Sequence, residues 1–320
     1  MAEKQILVTL ATNTKETLHE YMQERMERQG YRLKAVYNDE PLTKEELKEA
    51  LQGTDGYIVA LETIDAEILD SAPGLKVISK YGVGVDNIDL PAAKMKGVEV
   101  SNCPGSNSNA VAELTIGLMI SMARNTQTLC NNLRDKRWTV EVGLEVAGKR
   151  VGILGFGNVG RRVAHYLKAF GAEVLVYDLF EDPKAAAEYN ARYTSVEEIA
   201  RTADFITIHL PMLKDTRHLI NADTFSIMKP GVFLINAARG GVVDENALYE
   251  AVVSGKVAGA AVDVFEFEPP TASKLLTDER FIVLPHIGAA TRQASLNMMS
   301  MAMDNVIAVL EGGANPHPVS

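Results

Sequence analysis

The sequence is short of cysteine and has no long apolar run. Its only two cysteines, Cys103 and Cys130, lack metal-ligand spacing, which favours buried free thiols in a reducing compartment. No apolar run approaches the roughly 18 residues that a membrane-spanning helix needs. The short apolar run at 6–10 is predicted to be a first strand rather than a signal peptide. These shortages exclude a disulfide scaffold, predict neither a metal site nor a membrane partner, and favour a cytoplasmic location.

Basic residues are also in the minority. The chain has 32 Lys and Arg residues against 42 Asp and Glu residues, which gives a formal net charge of −10. Because the basic residues form no cluster, the sequence argues against nucleic acids and anionic membranes as partners. A length of 320 residues is enough for two domains with substantial cores.

The middle of the chain carries a strand, a glycine-rich turn, a helix and a second strand in succession. The stretch is 149–178, with the sequence KRVGILGFGNVGRRVAHYLKAFGAEVLVYD. Val151, Ile153 and Leu154 read as a buried strand that runs into the GFGNVG turn, and a second apolar run ends on Asp178. This order is typical of a dinucleotide-binding βαβ unit.

Each residue type in this unit has a physical role in binding a dinucleotide. Gly155 permits a tight turn, Gly157 lets the backbone approach the pyrophosphate, and Gly160 lets the helix pack close to the strand. The helix N-terminus presents N–H groups and a partial positive charge to the phosphates. Asp178 is expected to accept hydrogen bonds from the ribose hydroxyls and to repel a 2′-phosphate. No arginine follows it, so NAD is predicted in preference to NADP.

Strands and helices are predicted to alternate along the rest of the chain, which implies an α/β fold with parallel sheets covered by helices. The capping pairs Thr43 with Glu46 and Ser195 with Glu198 mark two helix starts, and Asp244 marks a third. The predicted strands are 5–10, 31–37, 56–60, 75–80 and 98–101 before the glycine turn, and 205–209, 232–236, 258–264 and 282–284 after it.

Three further segments are interpreted from their apolar pattern. The stretch 110–123 is apolar on most sides, so an internal helix and a dimer contact are equally compatible with it. The stretch 125–144, with the only tryptophan, Trp138, is predicted to be an arm rather than a core element. The methionines of a long helix at 291–310 are predicted to be packing residues.

Polar residues that follow the strands of the central domain are the candidates for chemistry, since ligands of an open α/β sheet bind at the carboxyl ends of its strands. Four segments qualify, and all are expected to crowd the edge where a nicotinamide would lie. They are 209–211 (HLP), 237–241 (AARGG), 263–270 (DVFEFEPP) and 285–288 (PHIG).

Five motifs, in this order along the chain, resemble those of the D-isomer-specific 2-hydroxyacid dehydrogenases, in particular their phosphoglycerate dehydrogenase-like branch. They are YGVGVDNID (81–89), the GFGNVG turn, NAARGGVVDENAL (236–248), DVFEFEP (263–269) and PHIGAAT (285–291). The resemblance implies two Rossmann-like, doubly wound parallel-sheet domains. The substrate domain is expected to be flavodoxin-like and built from both chain ends, 1–102 plus 287–320, with the NAD-binding domain at 103–286. It also implies an NAD-dependent oxidoreductase that acts on the CH–OH group of a small 2-hydroxy acid, and a homodimer.

The family's catalytic set corresponds here to Arg239, Glu268 and His286. Imidazole has an ordinary pKa of about 6.5, near working pH, so His286 is suited to exchange a proton with the substrate oxygen. Glu268 is expected to hold the imidazole ring, and Arg239 to offer fixed donors to the substrate carboxylate and carbonyl. Glu266 is the nearest alternative to Glu268, which is preferred because the family's acid directly precedes a proline, here Pro269.

The resemblance also implies binding residues beyond the catalytic set. Backbone N–H groups of Val83 and Gly84 are expected to bind the substrate carboxylate, and Lys80 is a candidate for a distal anionic group, or else a solvated lysine at a strand end. The cofactor contacts implied, besides the three glycines and Asp178, are Asn158, Val159, Leu210, Pro211, Ala237, Ala238, Arg239, Asp263 and His286.

The identity of the substrate is left open between several acids. The best-known phosphoglycerate enzymes carry a basic residue after the third strand, whereas this chain has Ala60, Leu61 and Glu62. A carboxylate facing the substrate there would repel a phosphate, so glyoxylate or hydroxypyruvate competes with 3-phosphoglycerate. The corepressors that resemble this family supply an alternative of another class, a scaffold that senses NAD(H).

Overall fold

The computed structural model describes residues 3–319, and strands alternate with helices along most of that length. The strands are β1 (Gln5–Ala11), β2 (Arg32–Asn38), β3 (Gly56–Val59), β4 (Val77–Lys80), β5 (Glu99–Ser101), β6 (Arg150–Leu154), β7 (Glu173–Tyr177), β8 (Ala191–Tyr193), β9 (Phe205–Ile208), β10 (Val232–Asn236), β11 (Val257–Val262) and β12 (Phe281–Val283). The helices are α1 (Lys15–Arg28), α2 (Lys44–Ala50), α3 (Ala66–Asp70), α4 (Leu90–Met95), α5 (Ser108–Ala123), α6 (Thr126–Arg134), α7 (Asn158–Phe170), α8 (Pro183–Glu188), α9 (Val196–Thr202), α10 (Ala222–Ile227), α11 (Glu245–Val253) and α12 (Arg292–Leu310).

The chain divides into two compact units. The first contains Met1–Asn107 and Ala290–Ser320, and the second contains Ser108–Ala289. The borders predicted from the sequence, after residues 102 and 286, lie a few residues before the borders of these units. Each unit has a parallel sheet and its own apolar core.

The first unit has a five-stranded sheet in the order β2-β1-β3-β4-β5. All four pairings are parallel, and the interior of β1 is buried residue after residue, as expected of a strand covered on both faces. The order 2-1-3-4-5 is that of flavodoxin-like folds. α12 packs closely on this sheet, because a Cβ on Gly56 would lie only 2.5 Å from Cγ1 of Val306. The predicted flavodoxin-like architecture is confirmed.

Local signals in the first unit act as the sequence predicts. The capping box before α2 is complete, with Thr43 and Glu46 each accepting a hydrogen bond from the other's backbone N–H. In α12, which Thr291 caps, Met298, Met299 and Met303 are buried core residues rather than ligands. The C-terminal segment returns to the sheet, where the Val319 N–H donates to the Val100 carbonyl at 2.9 Å.

The second unit has a seven-stranded sheet in the order β12-β11-β10-β9-β6-β7-β8, and all pairings are parallel. Counted within the unit, this is the doubly wound 3-2-1-4-5-6 order with one strand added. The strand order reverses between β6 and β9, so the crevice for a ligand is expected at the carboxyl ends of these strands. β8, at one edge, has only three residues and was not predicted from the sequence.

α5 is an internal helix of the second unit. It packs on α7, β10 and β11, and Ala112, Thr115 and Met119 are fully buried. The internal helix left open for this stretch is therefore confirmed, and the dimer contact stays a prediction. The stretch predicted to be an arm contains α6 and then an irregular segment, 135–146, on which several apolar side chains are exposed. Within residues 3–319, no helix combines the length and apolarity needed to cross a bilayer.

Candidate active site

The glycine turn lies at the carboxyl end of β6, next to β9. Gly155 has a φ of +100°, and a Cβ there would lie 2.6 Å from the carbonyl carbon of His209. A Cβ on Gly160 would lie 2.0 Å from the Gly155 carbonyl oxygen. A Cβ on Gly157, in contrast, would meet no atom within 4 Å, so this glycine faces open space. Two of the glycines thus serve the turn itself, and the third leaves room for a ligand to approach the backbone.

The start of α7 fits a dinucleotide. Gly157 is the N-cap residue of α7 and has no side chain that could accept a hydrogen bond. No side-chain cap therefore occupies the N-terminal amides of the helix, at Asn158 and Val159, and they can donate to a phosphate. At the end of β7, the carboxylate of Asp178 accepts hydrogen bonds from the N–H of Phe156 at 2.7 Å and of Phe180 at 3.1 Å. These bonds hold the carboxylate beside the glycine turn, where a ribose would follow the pyrophosphate.

The carboxyl end of β9 carries His209, Leu210 and Pro211 directly beside the turn. Leu210 is buried in the core, and Pro211 is exposed. His209 is half-buried, with Nδ1 shielded from solvent and Nε2 at 2.9 Å from Oγ1 of Thr207, and burial of the imidazole lowers its pKa to about 3. The lowered pKa disfavours the protonated imidazole of His209, which makes this residue a poor proton donor.

The carboxyl end of β10 holds the segment with Ala237, Ala238 and Arg239 in a fixed conformation. Asn236, which is buried, donates from Nδ2 to the Arg239 carbonyl at 3.0 Å and accepts at Oδ1 from the Ala238 N–H at 3.2 Å. Nη1 of Arg239 donates to the Ala238 carbonyl at 2.8 Å. Sequence reasoning did not assign this role to Asn236, although its place as the last strand residue before the AARGG segment was a signal for it.

Asp263, at the end of β11, fixes the segment that contains His286. Its two carboxylate oxygens accept hydrogen bonds from the N–H groups of Ile287 and Gly288, both at 2.8 Å. Burial raises the pKa of Asp263, and the two N–H donors and the nearby His286 only partly offset this effect. The carboxylate is thus directed at the backbone after His286, and the predicted contact of Asp263 with the cofactor stays a prediction.

Glu268 and His286 form a hydrogen-bonded pair. Oε2 of Glu268 lies 2.8 Å from Nδ1 of His286, and Oε1 accepts from the Phe265 N–H at 3.0 Å. His286 has a φ of +53°, a left-handed conformation that non-glycine residues rarely adopt and that often marks a functional site. Because a carboxylate only accepts, Nδ1 carries the proton and Nε2 is left for a substrate.

Glu268 is kept ionised by its neighbours. Burial alone would raise its pKa, but the hydrogen bond and charge of His286, the Phe265 N–H and the charge of Arg239 together lower it. The segment that carries Arg239 lies against the loop that carries Glu268, because a Cβ on Gly240 would lie 2.0 Å from the Phe265 carbonyl carbon. The structure thus brings the Glu268–His286 pair and the segment of Arg239 to the same edge of the second unit, and the catalytic roles of the three residues stay a prediction.

The predicted substrate residues of the first unit lie at the carboxyl end of β4. Nζ of Lys80 donates to the Ala60 carbonyl and to Oδ1 of Asn87, the latter at 2.9 Å. Val83 is exposed and Gly84 is half-buried on the loop that follows, and the Val83 carbonyl accepts from Nδ2 of Asn102 at 2.7 Å.

The carboxylate of Glu62 does not face the substrate side, although the sequence had suggested that it would. Its side chain turns into the first unit, where it is only 4% exposed and Oε2 accepts a hydrogen bond from Thr9 Oγ1 at 2.7 Å. Oγ1 of Thr9 also lies 2.9 Å from the hydroxyl of Tyr57. The argument that this carboxylate repels a substrate phosphate therefore loses its basis, because the sequence showed a charge after β3 but not its direction.

Comparison with known proteins gives the same class of enzyme. The model of the NAD binding domain of the D-isomer specific 2-hydroxyacid dehydrogenases matches residues 116–288. A hydroxypyruvate reductase of Thermotoga maritima is 41% identical over 261 residues, which cover 80% of this chain and 84% of that protein. A D-3-phosphoglycerate dehydrogenase of Rattus norvegicus is 43% identical over 262 residues, 81% of this chain and 49% of that protein. The chain thus spans about half the length of that dehydrogenase.

The fold is also that of known structures. A crystal structure of a protein from Thermus thermophilus superposes with a TM-score of 0.88 and 34% sequence identity, covering 99% of this chain and 100% of the other. The predicted two-domain α/β class, the NAD cofactor and the oxidoreductase activity on a CH–OH group are confirmed. The chain belongs to the D-isomer specific 2-hydroxyacid dehydrogenase family.

Proposed function

We propose that this protein transfers a hydride between the nicotinamide C4 of NAD and a short 2-oxo or 2-hydroxy acid, with Arg239, Glu268 and His286 as its catalytic residues. The observation that carries the proposal is the hydrogen bond of 2.8 Å between Glu268 and His286. It leaves Nε2 of the imidazole available at the edge of the sheet where the glycine turn and Arg239 also lie.

The roles of the three residues follow from their chemistry. Reduction of a 2-oxo acid needs a hydride on carbon, which bound NADH supplies, and a proton on oxygen. His286 donates that proton from Nε2 in the reductive direction and accepts it in the oxidative direction. Glu268 keeps the ring oriented and stabilises its protonated form. Arg239 holds the substrate carboxylate and stabilises negative charge on the carbonyl oxygen.

The remaining binding residues of the second unit are assigned to NAD. The turn Gly155, Gly157 and Gly160, with the amides of Asn158 and Val159, is proposed to hold the pyrophosphate. Asp178 is proposed to bind the ribose hydroxyls of the adenosine half. The other proposed contacts are Leu210 and Pro211 near the adenosine, and Ala237, Ala238, Arg239, Asp263 and His286 near the nicotinamide.

In the first unit, we propose that the backbone N–H groups of Val83 and Gly84 bind the substrate carboxylate. Glycine suits such a loop because the backbone must approach an anion closely. Lys80 is the proposed contact of a distal anionic group, and its hydrogen bonds to Asn87 and the Ala60 carbonyl hold its ammonium group in place.

The substrate is proposed to be 3-phosphoglycerate or its 2-oxo product, with hydroxypyruvate and glyoxylate as the alternatives. The inward turn of Glu62 removes one argument against a phosphate, and Lys80 supplies one positive charge for it. Of the two relatives named above, the D-3-phosphoglycerate dehydrogenase is 43% identical to this chain and the hydroxypyruvate reductase is 41% identical. They therefore do not discriminate, and the choice needs a direct assay.

The assay offers the purified protein NADH with phosphohydroxypyruvate, hydroxypyruvate and glyoxylate in turn. We expect loss of NADH absorbance with at least one acid, and the ratio of the kcat/KM values identifies the preferred one. Reduction of none of the acids by a protein that binds NADH would contradict the proposed function and favour the NAD(H)-sensing scaffold.

We also propose that the protein is a cytoplasmic homodimer in which segment 135–146 takes part. Trp138, Val140 and Val142 are 85%, 82% and 99% exposed. The segment returns to α5 through a hydrogen bond of 2.7 Å from the Leu144 N–H to the Ala123 carbonyl, so it is held in place at its end. Exposed apolar groups clustered in this way are typical of a protein–protein contact.

Sedimentation tests the homodimer. At micromolar concentration, we expect the wild-type protein to sediment as a dimer and a variant with Trp138→Ser, Val140→Ser and Val142→Ser to sediment as a monomer, because the substitutions remove the apolar contact. Met95→Ser is the matched control, since Met95 is an exposed apolar residue of the first unit. A monomeric wild-type protein, or a triple variant that stays dimeric, would refute this assignment.

A further inference from the structure

Glu266 and Glu268 are two residues apart on the 263–270 loop, but their side chains have different partners. Glu268 pairs with His286 and with the Phe265 N–H. Glu266 is mostly buried and lies at 3.1 Å, through Oε1, from Nε2 of His218. The same oxygen accepts the Glu245 N–H at 3.4 Å. The acid that was the nearest rival for the catalytic role therefore has a separate set of contacts.

The side chain of each of Glu266 and Glu245 accepts a hydrogen bond from the backbone N–H of the other. The Glu266 N–H donates to Oε1 of Glu245 at 2.6 Å, and the Glu245 N–H donates to Oε1 of Glu266. Oε2 of Glu245 accepts a further hydrogen bond from Oγ of Ser273 at 2.8 Å. One side chain at the start of α11 thus binds both ends of the 266–273 stretch, which contains Glu268.

The local charges favour this arrangement. Two adjacent carboxylates repel each other, but Glu245 is the first residue of α11, where the helix dipole favours negative charge. The guanidinium of Arg217 lies 3.9 Å from Oε2 of Glu266 and adds a positive charge. Because a carboxylate only accepts, Nε2 of His218 carries the proton in this contact.

His218 also contacts the turn that follows Arg239. The backbone N–H of His218 donates to the Gly241 carbonyl at 2.8 Å. The φ of His218 is +47°, in the left-handed region that non-glycine residues rarely adopt. The 263–270 loop touches the same turn, because a Cβ on Gly240 would lie 2.0 Å from the Phe265 carbonyl carbon. Through its backbone and its imidazole, His218 connects the turn after Arg239 with the loop that carries Glu268.

We propose that Glu266, held by His218 and Glu245, is a positioning residue that fixes the Glu268 loop against the Arg239 turn for the hydride-transfer reaction. This inference rests on the proposed function, since it gives Glu266 a task in the same reaction. Glu266 is given no contact with the substrate or the cofactor, and it acts through the placement of Glu268.

The test compares Glu266→Ala with Glu266→Gln. Alanine removes the acceptor for His218 and for the Glu245 N–H, whereas glutamine keeps one acceptor oxygen. We expect kcat to fall roughly 10- to 100-fold in the alanine variant, because small displacements of catalytic groups have effects of that size. Glutamine should restore most of the activity, and the Kd for NADH should stay unchanged in both variants. Glu250→Ala is the matched control, since Glu250 is an exposed glutamate of α11, the helix that begins with Glu245.

Two readouts separate positioning from a loss of folded protein. The primary isotope effect on kcat with NADH deuterated at the transferred position should increase in Glu266→Ala, because hydride transfer becomes slower, whereas a smaller folded fraction leaves it unchanged. Hydrogen exchange measured by mass spectrometry should show faster exchange in 239–243 and 263–273 in the alanine variant alone.

The possible failures are distinguishable. A wild-type protein that reduces none of the acids overturns the proposed function, and hydrogen exchange then still decides whether Glu266 connects the two segments. If the wild-type protein is active and Glu266→Ala retains its kcat and isotope effect, the positioning role alone is overturned. Unchanged exchange in both segments overturns the structural connection itself.

Discussion

Replacing His286 with alanine is expected to lower kcat by about 10²- to 10⁴-fold, the range that general acid–base catalysis contributes. The reason is that the imidazole of His286 is the one that pairs with Glu268 in the described second unit. His209, which follows β9 at the same edge of the sheet, is half-buried, and burial of its imidazole lowers its pKa to about 3. Initial rates of 2-oxo acid reduction measure the effect, and fluorescence titration with NADH should show that cofactor binding persists.

The control for this substitution is His165→Ala, because His165 is an exposed histidine on α7 of the same unit. It should leave both kcat and NADH binding unchanged. If His286→Ala lost NADH binding together with turnover, the role of His286 would be structural. If it retained turnover within a few-fold of the wild-type rate, proton transfer would have to be assigned to another group.

Replacing Asp178 with alanine is expected to change the cofactor preference. The carboxylate would otherwise accept hydrogen bonds from the ribose hydroxyls, and hydrogen bonds to a charged group contribute about 1.5–3 kcal/mol. That range corresponds to roughly 10- to 100-fold in affinity, and removal of the charge also removes the repulsion of a 2′-phosphate. We therefore expect the ratio of kcat/KM for NADH to that for NADPH to fall about 100-fold or more.

Asp178→Asn is the matched variant in this second experiment. The carboxylate also accepts the N–H of Phe156 at 2.7 Å, so alanine disturbs the glycine turn as well as the ribose site. Asparagine keeps an acceptor and the shape of the side chain, and it should give an intermediate ratio. A ratio that stays at the wild-type value in both variants would contradict the assignment of Asp178 to the ribose.

The proposed function of the second unit depends on the order of its strands, whereas that of the first unit depends on the direction of two side chains. In the second unit, the order of strands places the ends of β6, β9, β10, β11 and β12 side by side, so residues far apart in sequence meet at one edge. In the first unit, the proposed choice of substrate depends on where the side chains of Lys80 and Glu62 point. One of these side chains is held by Asn87, and the other turns into the core.

Local sequence determined much of the fold. Glycines with a positive φ, capping residues and runs of buried apolar residues act within a few residues of themselves, so the alternation of strands and helices could be predicted. The capping box at Thr43 and the turn at Gly155 formed as expected. The short edge strand β8 was missed because its three residues, none of them buried, carry no clear apolar pattern.

What the sequence by itself determined about this protein is its parallel α/β class, its glycine turn with Asp178, and the set of Arg239, Glu268 and His286 as the catalytic candidates. Only the tertiary structure decided that α5 is internal, that Glu62 faces the core, and that Glu266 binds His218 and Glu245 instead of His286. The physical reason is that a side chain's direction depends on partners distant in sequence. Glu266 and Glu268 carry the same carboxylate group, and only the folded chain gives the two groups different partners.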